Sequence, residues 1–178
     1  TGFEDLLLEY KPHMLKPSRH IENGSWKDTV DVVFREIAAM LNTDGGFVVV
    51  GVTDPMNNPH SDEFEIVGID EEIESQRGRD SFMVKIANWK KQAFGVGVSS
   101  SLLRSEIRDI NGKCVLIFHV KPCKEFIAYL KPLGGHMKIN QRQHGYDKDG
   151  AIYARIDDST MLIQAGQIIR WNSLRFSD

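Results

Sequence analysis

In the first third of the chain, apolar positions recur at helical spacing. Val30, Val33, Phe34, Ile37, Ala38 and Leu41 follow the i, i+3, i+4, i+7 pattern of one helix face. Asp28 stands where an N-cap is expected. The helix should stop at Asn42-Thr43-Asp44-Gly45-Gly46, because glycine tolerates the left-handed backbone that closes a helix. Phe47-Val48-Val49-Val50 follows without a polar break, which is the pattern of a strand buried on both faces. Asp54 sits just past that strand, and Pro55 biases Asp54 toward extended backbone.

Elsewhere the pattern alternates. Residues 3–11 form a short segment rich in Leu and Tyr, and Pro12 and Pro17 punctuate the loop after it. Residues 64–69 read as a strand. Phe82, Met83, Ile86, Trp89 and Ala93 predict a helix over residues 80–94, and Gly95-Val96-Gly97 reads as a turn between that helix and the next strand. Ile110-Asn111-Gly112-Lys113 predicts a type I′ hairpin turn joining strands around 103–110 and 114–120, since Asn-Gly supplies both positive φ angles. Residues 126–130 and 152–156 read as further strands. Residues 138–148 read as a polar, basic, exposed loop, and a last helix is expected from about 164 to 174. The fold class is α+β: a mostly antiparallel or mixed sheet packed against two or three helices.

Composition narrows the picture. With 178 residues and 41% hydrophobic content, the chain fits one domain spanning residues 1–178 with its own core. Its apolar runs fall far short of the ~20 residues of a membrane span. The start has no basic, apolar leader and no initiator Met, so a piece of a longer cytoplasmic protein is expected. Two cysteines, Cys114 and Cys123, cannot build a disulfide framework and read as free thiols. Twenty-two basic against 25 acidic residues give a net charge of −3. That does not announce nucleic-acid binding, yet a local basic groove is enough to hold a phosphate backbone.

The motif search removes several chemistries. The chain has neither a Gly-x-x-x-x-Gly-Lys-Ser/Thr loop nor a Gly-x-Ser-x-Gly elbow. The acids near the start are more informative. Glu4, Asp5 and Glu9 lie in an otherwise apolar segment. Carboxylates gathered at one point repel one another unless a divalent cation or a basic partner neutralises them. Hard oxygen ligands suit Mg²⁺ or Mn²⁺. Spacing alone does not deliver such a cluster, because Glu4 and Glu9 fall on opposite faces of a straight strand.

Three blocks resemble the Schlafen AlbA-type domain. Residues 3–11, Phe-Glu-Asp-Leu-Leu-Leu-Glu-Tyr-Lys, are similar to the family's Glu-Ser-x-x-hydrophobic-Glu-Phe-Lys. Residues 37–54 resemble its Ala-Phe-Ala-Asn-Thr-x-Gly-Gly, apolar strand, Gly-Val-x-Asp. Residues 152–160 are similar to Tyr-x-Arg-x-Gly-Ser-Ser-Thr before a closing helix. Ribonuclease members of the family cleave transfer or ribosomal RNA at a three-carboxylate, divalent-metal site. The resemblance carries that site onto Glu4, Glu9 and Asp54, with Lys11 at the family's lysine position. Other members are described as DNA-binding domains without shown activity. Asp157 departs from the family's glycine in the third block. The structural-zinc cysteines of the vertebrate ribonucleases are missing, as is their second lobe.

Two functions follow from the resemblance. One is a metal-dependent endoribonuclease acting on structured RNA such as transfer RNA. In it Glu4, Glu9 and Asp54 hold Mg²⁺ or Mn²⁺ and Lys11 stabilises phosphate charge, while Lys138, Arg142, Lys148 and Arg155 hold the RNA backbone. The other is a non-catalytic DNA- or RNA-binding module of a regulator or defence protein. The single lobe motivates the further expectation of a homodimer.

Overall fold

The computed structural model describes residues 8–16, 26–55, 63–129, 151–156, 159–163, 167–168 and 170. In chain order the elements are β1 (Leu8–Lys11), α1 (Trp26–Leu41), β2 (Gly46–Val50), β3 (Val52–Thr53), β4 (Glu65–Ile66), α2 (Asp70–Ser75), α3 (Arg79–Ser101), β5 (Leu103–Ile110), β6 (Lys113–Val120), β7 (Tyr153–Ile156) and β8 (Ser159–Leu162). The fold class is α+β, with three helices among the described residues and mixed and antiparallel sheets.

The apolar stripe of α1 is its core face. Val30, Val33, Phe34, Ile37, Ala38 and Leu41 are all fully buried. The helix already includes Trp26 and Lys27, so Asp28 lies inside it and is not the N-cap. Gly45, at φ 77°, donates its N–H to the Met40 carbonyl at 3.0 Å and closes the helix. A Cβ at Gly45 would lie 2.5 Å from the Val120 oxygen, so this position also needs glycine for space.

The main sheet runs β1-β2-β6-β5. β1 pairs parallel with β2, and the other two pairings are antiparallel. A parallel neighbour requires a crossover, and α1 lies on the connecting segment. Val48, Val50, Leu116 and Phe118 line one face and are buried against the helices. The Phe34 ring centroid lies 6.0 Å from Phe118 and 5.9 Å from Phe94. The strand at 47–50 is therefore buried on one face and not on both, and Phe47 on the other face is 44% exposed. β3 and β4 pair with each other, as do β7 and β8. Gly51, at φ 104°, separates β2 from β3, so Asp54 follows β3 and not the core strand.

Other differences from the sequence pattern have local causes. Gly68, at φ 78°, bends the chain after β4, which shortens the strand expected over 64–69. α2 follows with a buried Glu72, whose carboxylate accepts the N–H groups of Met14 at 3.2 Å and Leu15 at 2.8 Å. That bond pins the loop after β1 to the body of the fold. α3 does not end at Gly95-Val96-Gly97. It kinks at Gly95 (φ 79°, ψ 169°) and continues to Ser101, since glycine permits a break without a stop. The hairpin turn forms as expected, with Asn111 at φ 52° and Gly112 at φ 76°. Of the strand expected at 126–130, one bridge, Tyr129 to Ala151, is present among the described residues. β8 was not legible in the pattern. The loop at 138–148 lies outside the described residues, and of the closing helix only 167, 168 and 170 are described. Both cysteines are free, and burial pushes the Cys114 thiol up to about 11. No helix among the described residues is long and apolar enough to cross a membrane.

Asn42 ties these layers together. It is fully buried just beyond α1. Its Nδ2 donates to the carbonyls of Ile127 and Tyr153, both at 2.8 Å, and its Oδ1 accepts the Ile127 N–H at 2.7 Å. Asn42→Ala would leave three backbone groups without this partner, the buried Tyr153 carbonyl and the partly buried Ile127 N–H and carbonyl, and a buried group left unpaired costs about 1–3 kcal/mol. Denaturant unfolding of that variant should show a loss of about 2–3 kcal/mol.

Candidate functional site

β1 alternates, so Glu9 and Lys11 share one face and Leu8 and Tyr10 the other. The Glu9 side meets α1 and the β7–β8 hairpin. There Glu9 Oε1 pairs with Lys11 Nζ at 2.6 Å, and Glu9 Oε2 with Arg155 Nη2 at 3.0 Å. Glu36 on α1 closes the ring. Its Oε1 lies 3.8 Å from Lys11 Nζ and its Oε2 lies 3.6 Å from Arg155 Nη1. The Thr160 hydroxyl, on β8, donates to Glu36 Oε2. Two carboxylates face two cations, so the formal charge of the cluster is zero.

The four members differ in access. Arg155 is 5% exposed at its side chain, against 20% for Glu9, 15% for Glu36 and 21% for Lys11. The guanidinium therefore sits behind the carboxylates. Its planar fork reaches one oxygen of each, an arrangement a lysine could not reproduce. Lys11 is at the mouth.

Of the residues singled out by sequence, Glu9, Lys11 and Arg155 come together here. Asp54 lies beside Tyr10. Burial first, and then the Asp54 carboxylate, push the Tyr10 phenol above its ordinary value. Tyr10 leaves β1 on the face opposite Glu9. Glu4, Lys138, Arg142, Lys148 and Asp157 lie outside the described residues. Among the described residues no three His, Cys, Asp or Glu side chains gather as a cation site. Both Glu9 oxygens are already held by cations. Glu4, the third carboxylate of the expected Mg²⁺ or Mn²⁺ set, lies outside the described residues, so that set is incomplete among them.

Two members were missed in the sequence. Glu36 sits beside the apolar stripe of α1, and an acid at a stripe border is usually just solvated. Thr160 belongs to the third block, but its side chain gains a role only when β8 folds back on β7.

A family model described as Schlafen, AlbA_2 matches residues 4–164. Among solved structures, the chain is similar to the DIP2311 protein from Corynebacterium diphtheriae, at 17% identity and TM-score 0.49. That match covers 94% of this chain and 27% of the other. It is also similar to the N-terminal domain of a RecG-related protein from Nitrosomonas europaea, at 18% identity and TM-score 0.36, covering 68% of this chain and 66% of the other. No curated protein matches the sequence.

Removing the buried cation leaves Lys11 as the cation of the cluster that faces Glu9 and Glu36. Arg155→Met should cost about 3 kcal/mol in denaturant unfolding, the low end for a broken buried pair, because the carboxylates keep some solvent. Restoring charge balance with Glu36→Gln in the same chain should recover part of that loss.

Proposed function

The chain belongs to the Schlafen AlbA_2 family, and on that premise we propose that it binds nucleic acid, with Lys11 as a phosphate contact at the edge of the main sheet. The observation that carries this reading is the closed ring of Glu9, Lys11, Glu36 and Arg155. Arg155 is a positioning residue. It fixes both carboxylates from behind and leaves Lys11 at the partly exposed mouth. In the free protein Glu9 occupies the Lys11 ammonium. A phosphate oxygen competes for the same donors and exchanges one charge-assisted bond for another. The basic residues Lys138, Arg142 and Lys148 would add backbone contacts.

Metal-dependent cleavage of structured RNA such as transfer RNA is the second reading. Its support is the family match, which carries the carboxylate positions onto Glu4, Glu9 and Asp54. For cleavage, Glu9 would have to leave Arg155 or Lys11.

The two readings diverge on one substitution. If binding alone is at work, Glu9→Gln releases Lys11 from its shorter ion pair and should tighten RNA binding by roughly fivefold, the scale of one partly exposed ion pair. Lys11→Gln should weaken binding and lower the salt slope by about 1. Fluorescence anisotropy with labelled transfer RNA across a salt series measures both. If neither variant changes affinity, Lys11 is not a phosphate contact.

Cleavage is tested by incubating wild type, Glu9→Gln and Asp54→Asn with transfer RNA and Mn²⁺. The binding reading expects intact RNA in all three. Cutting by wild type that both variants abolish would establish the nuclease instead.

A further inference from the structure

The face of the main sheet turned away from α1 is a second, separate surface. Strand alternation and register place Leu8 and Tyr10 of β1, Phe47 of β2, His119 of β6, and Arg104, Glu106 and Arg108 of β5 on it. Phe47 is 44% exposed, and its ring meets His119 edge-on at 5.1 Å. Tyr10 meets Phe64, which is 57% exposed, at 4.7 Å. From strand spacing and rise, the two aromatic pairs lie roughly 8 Å apart.

The β5 edge of this face is cationic, whereas the Asp54 carboxylate acts on Tyr10 at the β1 edge. Arg104 stands across from His119, and the Arg104 and Arg108 side chains are 76% and 60% exposed. Glu106 lies between them and pairs with Arg108 at 2.7 Å, His119 at 3.0 Å and Arg104 at 3.4 Å. One carboxylate against two guanidiniums leaves a positive excess. Past Arg104, an open hollow of about 560 Å³ adds Lys121.

We propose that this face is a stacking platform for single-stranded nucleic acid. Bases lie against the Phe47 and Phe64 rings, and Arg104, Arg108 and Lys121 hold the backbone. The chemistry of the surface selects that occupant. Exposed rings on a sheet give unpaired bases a π-face to lie on, whereas a duplex keeps its bases stacked inside. Positive charge along the β5 edge, to one side of those rings, complements a phosphate chain. The proposal rests on the nucleic-acid reading above and deepens it by naming the form of the strand and a contact surface on the face opposite Glu9 and Lys11.

The test uses a labelled oligonucleotide of about 12 nucleotides, a length within the range one such surface spans, either free or annealed to its complement. Wild type should prefer the single strand. Phe47→Leu keeps an apolar side chain but removes the ring, and should weaken single-strand binding roughly tenfold with an unchanged melting temperature. Replacing Arg104 and Arg108 together by Gln should lower the salt slope by about 1.4. Ultraviolet cross-linking of the wild-type protein should attach the strand to the peptide containing Phe47. If wild type binds no nucleic acid, both the platform and the function proposed above fall. If it binds, and Lys11→Gln weakens binding while Phe47→Leu does not, the platform alone falls. Self-association abolished by Phe47→Leu, at unchanged oligonucleotide affinity, would reassign the face to protein contact and overturn the proposal.

Discussion

The architecture depends on one buried amide. Asn42 stands at the end of α1 with no solvent, and its side chain replaces three backbone partners that no strand supplies. A buried polar group is tolerable only when satisfied, so this residue dictates where the segment at Ile127 and the strand β7 must lie. Tyr153, whose carbonyl it holds, is two residues from Arg155. On a strand those positions share a face, so fixing the first aims the second. The distant charge cluster therefore inherits its geometry from a helix terminus.

A four-strand sheet presents two kinds of surface here. On one side, alternation delivers valine, leucine and phenylalanine to the helices, with Glu9 and Lys11 as polar positions at the strand edge. On the other side, the same strands carry rings and guanidiniums toward solvent. The two polar regions are built differently. The ring around Arg155 is internally neutral and depends on position, since each charge already has an opposite at hand. The rim near Glu106 retains excess positive charge, which acts over about 8–10 Å at physiological salt.

Local signals were legible in the sequence, and long-range ones were not. The α1 stripe, the glycine stop and the Asn111-Gly112 turn each depend on neighbours within a few residues, and the structure keeps all of them. The pattern at 47–50 could not reveal that the helices cover only one face, because an apolar run looks the same whether one or both sides are covered. Gly95 was read as an end and is a kink, after which α3 continues to Ser101. The site shows the same limit more sharply. Glu9, Lys11 and Arg155 stood out through resemblance to a family, but Glu36 had no signal of its own. Its partners come from positions 11, 155 and 160, and only folding brings them within reach.

Among the described residues, β1 has four residues and one paired neighbour, β2. An outer strand of that length is among the cheapest parts of a fold to peel away. Glu9 and Lys11 travel with it, while Glu36 and Arg155 stay behind. The cluster is thus also a latch, and detaching the strand dismantles it. By linkage, whatever docks on the assembled latch must also hold the strand in place, and whatever loosens the strand must expel the guest.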